Sequence, residues 1–184
     1  MMGADMQVIG IIGAGQMGNG IAHVCALAGF DVVLNDVSAE RLEAGIKTIQ
    51  RNMERQVHRG MISVEQRDAG MKRIKPVTSL DAFVDVEFAI EAATEKEAVK
   101  RAIFDEVCLK VSKTAMLATN TSSISITRLG AATDRPERFI GLHFMNPVPL
   151  MKLVEVIGGL ATDQQTYETA VHIVERLNKH VTNA

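Results

Sequence analysis

The chain is poor in the features that mark several protein classes. Charge of one sign is missing: the formal net charge is −2, so there is no basic footprint for nucleic acid or for an anionic membrane surface. No uncharged apolar run is long enough to span a bilayer. The N-terminus lacks the shape of a secretory leader, because Asp5 precedes an apolar run that glycines soon interrupt. Cysteine is scarce. Cys25 and Cys108 fall far apart, each inside an expected helix, which points to reduced core thiols in a cytosolic protein rather than to a disulfide or a metal site. The five histidines show no close pairing with one another, so no metal centre is expected. Internal repeats and low-complexity linkers are also lacking. What remains is a globular chain of 184 residues, 47% apolar, expected to fold as one domain over residues 1–184 and to work in the cytoplasm.

The most informative stretch is Ile9 to Gly20, which sets Gly13, Gly15 and Gly18 directly after a short apolar run. In a dinucleotide-binding turn, the first glycine makes the tight strand-to-helix turn. The second lets a pyrophosphate approach the backbone, and the third lets the helix close on the strand. The helix that follows offers free N–H groups and a positive dipole end, here at Gln16 and Met17. Met17, Ile21, Val24 and Ala28 form its apolar stripe, Gly29 closes it, and a second apolar run, Val32 to Leu34, leads to Asp36. Asp36 lies eighteen positions beyond Gly18, close to the offset of about 20 expected for a carboxylate holding a ribose 2′-hydroxyl. A carboxylate there repels a 2′-phosphate, and the nearest arginine, Arg41, is one turn into the next helix. NAD is therefore favoured over NADP. Ser38 is the better candidate to cap that helix, which leaves Asp36 free for a ligand.

Strands are expected near Gln7–Ile12, Asp31–Asn35, Lys75–Thr78, Glu87–Glu91, Ala115–Thr119 and Phe139–Phe144, with a further short run at Leu153–Ile157. Helices fit Gln16–Ala28, Ala39–Arg59, Val64–Arg73, Lys96–Val111, Ile124–Leu129 and Asp163–Asn178. This alternation predicts an α/β fold, a doubly wound and mostly parallel sheet of the Rossmann type. Residues 39–73 are long for a simple crossover and read as a helical hairpin hinged near Gly60. Arg51, Arg55 and Arg59 recur on one face of that hairpin. A solvated helix face and a landing site for the phosphates of a large anionic substrate explain this stripe equally well.

The chemical residues lie downstream. Thr119 to Ser125, a run of hydroxyl side chains, follows an apolar strand and so sits at its carboxyl end; Ser122 or Ser123 is a candidate cap for the next helix. Gly141 to Pro149 carries His143, and Lys152 to Ile157 carries Glu155. If these two apolar runs fold back on each other around the proline loop, positions whose numbers sum to 298 pair, and His143 faces Glu155. A carboxylate at one imidazole nitrogen selects the tautomer and favours the protonated ring, the arrangement a general base requires. Glu155 alternates with apolar neighbours and needs such a partner.

These motifs in this order, Ile-Gly-Ile-Ile-Gly-Ala-Gly-Gln-Met-Gly-Asn-Gly, Asn-Thr-Ser-Ser, Gly-Leu-His-Phe-Met-Asn-Pro-Val-Pro and Lys-Leu-Val-Glu-Val-Ile, resemble the NAD-binding domain of the L-3-hydroxyacyl-CoA dehydrogenase family, most closely its bacterial 3-hydroxybutyryl-CoA members. The resemblance covers essentially the whole chain. It implies that His143 is the catalytic base, Glu155 its partner carboxylate, and Ser122 the serine that touches substrate oxygen and nicotinamide. It also implies that Glu95, Lys100 and Asn146 contact the cofactor. On their own, Glu95 and Lys100 read as a helix-start acid and an exposed lysine. The implied reaction is reversible oxidation of an L-3-hydroxyacyl-CoA to the 3-ketoacyl-CoA with NAD, which makes an acyl-CoA the small-molecule partner.

Family members continue into an all-helical domain that supplies a substrate-contacting asparagine and most of a dimer interface, and that segment is not among these residues. The expectation is a cofactor domain that binds NAD and turns over weakly or not at all alone, with apolar surface prone to self-association. Two other readings stay open on sequence grounds: a 3-hydroxy acid dehydrogenase that does not use CoA, and a non-catalytic NAD-binding relative of the crystallin kind.

Overall fold

The structure is a computed structural model that describes residues 6–183; Asp5, the residue read as breaking a leader, lies outside them. Eight strands form one sheet: β1 (Val8–Ile12), β2 (Asp31–Asn35), β3 (Ile74–Val77), β4 (Phe88–Glu91), β5 (Met116–Thr119), β6 (Phe139–Phe144), β7 (Leu153–Gly158) and β8 (His180–Asn183). Their order across the sheet is β3-β2-β1-β4-β5-β6-β7-β8. The first six run parallel, β7 turns back antiparallel on β6, and β8 runs parallel to β7. Reversal of strand order at β1 and β4 makes the switch point outside whose carboxyl ends ligands bind in such sheets.

Helices α1 (Gln16–Leu27), α2 (Ala39–His58), α3 (Val64–Lys72), α4 (Glu97–Lys110), α5 (Ile126–Gly130) and α6 (Gln164–Arg176) cover both faces. Alternate strand residues feed two apolar cores. Ile9, Ile11, Leu34, Ile90 and Leu142 meet α1, α2 and α6 on one face. On the other, Ile12, Ala89, Leu117 and Phe139 meet α4 and α5. Parallel strands buried on both faces read as continuous apolar runs, which is why they are visible in the sequence. Every expected strand and helix is present, with ends displaced by two residues or fewer. β8 is the addition: its His-Val-Thr-Asn is short and polar, and only pairing with the edge of β7 makes it a strand.

Local chemistry accounts for the helix ends. Ser38 caps α2 by accepting the Arg41 N–H, and Ser63 with Gln66 forms a capping box at α3. Gly60, at φ +67°, turns the chain between these two helices, as the hinge reading requires. At α5 the expectation is corrected. Neither Ser122 nor Ser123 is the cap; Ser125 is, accepting the Arg128 N–H, because the two earlier serines are turned toward Glu95. Cys25 and Cys108 are buried free thiols, and burial pushes Cys25 up to about 12. Among the described residues no helix is long and apolar enough to cross a membrane.

Candidate functional site

The glycine turn joins β1 to α1, and its three glycines are needed for different reasons. Gly13 sits at φ +102°, and a Cβ there would lie 2.7 Å from the Ala92 carbonyl oxygen. A Cβ at Gly18 would lie 1.7 Å from the Gly13 carbonyl oxygen. Both are fixed by the chain's own packing. Gly15 is different: its backbone, φ −67° and ψ −168°, suits any residue, and a Cβ there would meet no atom within 4 Å. Neither strain nor packing explains this glycine, so the open space above it fits a group from outside the chain. Helix α1 begins there with no side-chain cap and no acid in its first turn, leaving its N–H groups and positive end to an anion.

Asp36 is buried, with its Oδ2 accepting the Ala14 N–H and its Oδ1 the Ser38 N–H, each at 3.0 Å. It therefore also braces the glycine turn, a duty the sequence reading did not assign, while each oxygen keeps a second lone pair. Asp36 lines a cavity of about 550 Å³ together with Gly13, Gly15, Val37, Arg41, Thr78 and Leu80. The size and the apolar walls suit an adenosine.

A second cavity of about 340 Å³ lies at the carboxyl ends of β4, β5 and β6, lined by Met17, Glu95, Lys100, Asn120, Ser122, His143 and Asn146. Register brings the key pair to it. His143 pairs with Glu155 across β6 and β7, and His143 Nδ1 lies 2.6 Å from Glu155 Oε2. With Nδ1–H donated to the carboxylate, Nε2 keeps its lone pair free to accept a proton. Both side chains are part-exposed, 23% and 32%. They continue the row that Phe139 and Gly141 begin, beyond the point where Ile126 of α5 closes over Gly141.

Ser122 is held by Glu95, whose Oε1 accepts the Ser122 N–H at 2.9 Å and lies 3.3 Å from Ser122 Oγ. Part-burial tends to raise the Glu95 carboxyl, but hydrogen bonds from Thr121 and the Ser122 N–H, with the Lys100 charge, hold it below the usual range. Reading Glu95 and Lys100 as a helix-start acid and an exposed lysine is corrected here. Glu95 precedes α4 and anchors the serine loop, and Lys100 is buried, its Nζ 2.6 Å from Glu91 and 3.6 Å from Glu95. Asn146 lines both this cavity and an adjoining one of about 400 Å³, which Gln16 and Arg41 also line. A cis peptide joins Asn146 to Pro147.

The arginine stripe divides. Arg55 and Arg59 line a cavity of about 270 Å³ with His23, Gln56, Pro147 and Leu150, whereas Arg51 does not reach it. Sequence reasoning missed four site residues. Asn120 Oδ1 accepts the Phe144 N–H at 2.9 Å, tying β5 to β6. Lys179 donates from Nζ to the Val148 carbonyl at 2.7 Å and also to that of Met151, pinning the proline loop. Glu91 and Thr119, both fully buried, end β4 and β5. Their position at the carboxyl edge of apolar strands was the available signal, since a carboxylate buried there requires a cation.

A doubly wound sheet with an uncapped helix end at a glycine turn, a cavity beside Asp36 and a histidine–carboxylate pair at its carboxyl edge has the form of a nicotinamide-dinucleotide-binding domain of the dehydrogenase type. The chain belongs to the family described as 3-hydroxyacyl-CoA dehydrogenase, NAD binding domain, whose model matches residues 8–184, and its cofactor is NAD. It is 57% identical over 180 residues to a 3-hydroxybutyryl-CoA dehydrogenase of Bradyrhizobium diazoefficiens, covering 98% of this chain and 61% of that protein. It is 44% identical to a 3-hydroxyadipyl-CoA dehydrogenase of Escherichia coli, covering 89% of this chain and 34% of that one. The solved (S)-3-hydroxybutyryl-CoA dehydrogenase of Ralstonia eutropha superposes with a TM-score of 0.95 at 39% identity, over 97% of this chain and 63% of that one. The chain thus spans about three-fifths of the length of the first of these relatives.

Proposed function

We propose that this chain is the cofactor-binding part, over residues 1–184, of an enzyme that oxidises a short L-3-hydroxyacyl-CoA, of the 3-hydroxybutyryl-CoA kind, to the 3-ketoacyl-CoA. The observation that carries the reading is the His143–Glu155 pair, 2.6 Å apart, whose His143 opens on the same cavity as Ser122. In this reading Asp36 receives the adenosine ribose, and Gly13, Gly15, Gln16, Met17 and Gly18 receive the pyrophosphate. Glu95, Lys100, Ser122 and Asn146 surround the nicotinamide. NAD, when bound, supplies a hydride acceptor.

His143 Nε2 takes the proton of the substrate hydroxyl, and Glu155 stabilises the imidazolium that results. In the reverse direction the imidazolium returns the proton to the developing alkoxide. General acid–base help of this kind is worth about 10²–10⁴-fold. Ser122 Oγ orients the reacting oxygen, and the Glu95 carboxylate fixes the loop that carries it. Arg55 and Arg59 receive CoA phosphates, whereas Arg51, on the same helix face, does not reach their cavity. Location in the cytoplasm, and dimer formation through residues beyond this domain, complete the reading.

The test is calorimetry of NADH and acetoacetyl-CoA binding beside a turnover assay with 3-hydroxybutyryl-CoA and free 3-hydroxybutyrate. NADH binding with preference for the thioester is expected. Equal use of the free acid, or no NADH binding, overturns the reading.

A further inference from the structure

The ends of β4 and β5 hold a charge cluster in which Glu95 and Lys100 line the cavity and Glu91 does not. Glu91 is 0% exposed and Lys100 1%. The Glu91 carboxylate accepts from three donors: Lys100 Nζ and Thr119 Oγ1 reach Oε2 at 2.6 and 2.7 Å, and the Ala93 N–H reaches Oε1 at 2.8 Å. Lys100 also lies 3.6 Å from Glu95 Oε2, so two carboxylates share one ammonium and the cluster carries a formal charge of −1.

A buried ion pair is a poor device for stability, because well-packed apolar residues do as well or better. This one has a wall on the ligand side. Ala92 and Ala93, which follow Glu91 directly, line the nicotinamide cavity, as do Glu95 and Lys100. A fixed negative charge behind that wall interacts differently with the two redox forms of the cofactor: the oxidised nicotinamide ring is cationic and the reduced ring is neutral. Low local dielectric strengthens the difference, and Glu91 is held in place by its three donors, so it need not reorganise when the ring changes charge.

We propose that Glu91, through the charge it contributes to the Glu91–Lys100–Glu95 cluster, biases this pocket toward the oxidised cofactor and so sets the redox poise of bound NAD. The inference rests on the nicotinamide placement proposed above. Glu91 touches neither substrate nor cofactor; it is a positioning residue that also sets the local field.

The experiment is binding of both cofactor forms to the 184-residue chain, NADH by its fluorescence and NAD by competition, in the parent chain and in Glu91→Gln and Glu91→Asp. The ratio of the NAD to the NADH dissociation constant should rise about fivefold in Glu91→Gln, the scale of one charge at a part-buried site. It should return toward the parent value in Glu91→Asp, which keeps the charge even if both affinities fall. A purely structural role would weaken both forms equally, and an unchanged ratio overturns the inference while leaving the NAD site standing. If the parent chain binds neither form, both readings fall. Should Glu91→Gln not fold, Glu91→Met removes the same charge without an amide to satisfy; the same rise in ratio supports the inference, and an unchanged ratio overturns it.

Discussion

The two ends of the site are built from opposite materials. At the β1–α1 turn the working parts are backbone: N–H groups, a helix end, and glycines chosen for what they omit. At the β5–β6–β7 edge they are side chains, and His143 meets Glu155 only because antiparallel register puts them opposite each other. The first end depends on local geometry, and at Gly13 and Gly18 it admits no added atom. The second depends on a long-range strand pairing and tolerates backbone variation so long as the pair survives. Losses at one end should therefore appear in affinity or stability, and losses at the other in rate.

The widest separation is expected from His143→Gln, which leaves a polar side chain against Glu155 but no base. In the enzyme that carries this domain, turnover should fall by about 10²–10⁴, while NADH affinity changes less than about threefold, an RT-scale effect. Parallel loss of both would mean that the pair holds the cofactor rather than moving a proton.

At the other end, two glycines three residues apart should fail in different ways. Gly18→Ala drives a methyl to 1.7 Å from the Gly13 carbonyl oxygen. Backbone must move, at a cost of about 3 kcal/mol, which denaturant unfolding would register. Gly15→Ala meets nothing, so stability should hold within about 0.5 kcal/mol. NADH affinity should fall at least tenfold, about 1.4 kcal/mol. Intact affinity in Gly15→Ala would show that the space above it is not where the pyrophosphate lies.

The same contrast explains how much was legible in the sequence. The turn and its strands could be read because each glycine and each apolar run states a local requirement. The His143–Glu155 contact could also be read, since folding the two apolar runs back on each other around the proline loop sets the register of every pair along them. The burial of Lys100 was not legible from its own surroundings: on a helix whose apolar stripe is weak, a lysine looks exposed until the carboxylate of β4 is known to lie beneath it. β8 was invisible because an edge strand needs only a neighbour, not a pattern. The serine loop misled for a related reason, since its hydroxyls answer to Glu95, a residue 27 positions from Ser122.

Between the two ends lies His23 of α1, buried, with Nε2 2.8 Å from the Gln56 amide oxygen and Nδ1 without a partner. Burial depresses its pKa below the ordinary 6.5, the Gln56 bond opposes this, and the Lys179 charge adds to the depression. The unfolded chain therefore takes a proton near pH 6.5 that the folded chain refuses. Stability from this group is complete above that pH and is lost as pH falls below it, levelling only below the folded pKa. The slope cannot exceed about 1.4 kcal/mol per pH unit for one proton. His23→Asn should flatten unfolding curves compared at pH 7 and pH 5.5; an unflattened curve would assign the acid sensitivity elsewhere.

The smallest effects belong to the arginine stripe, and they decide whether the hairpin serves the anionic substrate at all. Arg55 and Arg59 flank a cavity that reaches the proline loop, and Arg51 does not. Surface charges of this kind are worth about 0.2–1 kcal/mol. Arg55→Ala and Arg59→Ala should each weaken acetoacetyl-CoA binding about two- to fivefold at low salt, with NADH affinity unchanged. Arg51→Ala should do nothing. The difference should shrink as ionic strength rises, because exposed charges are screened within a Debye length of about 10 Å at 0.1 M salt. If all three variants behave alike, the stripe is a solvated helix face.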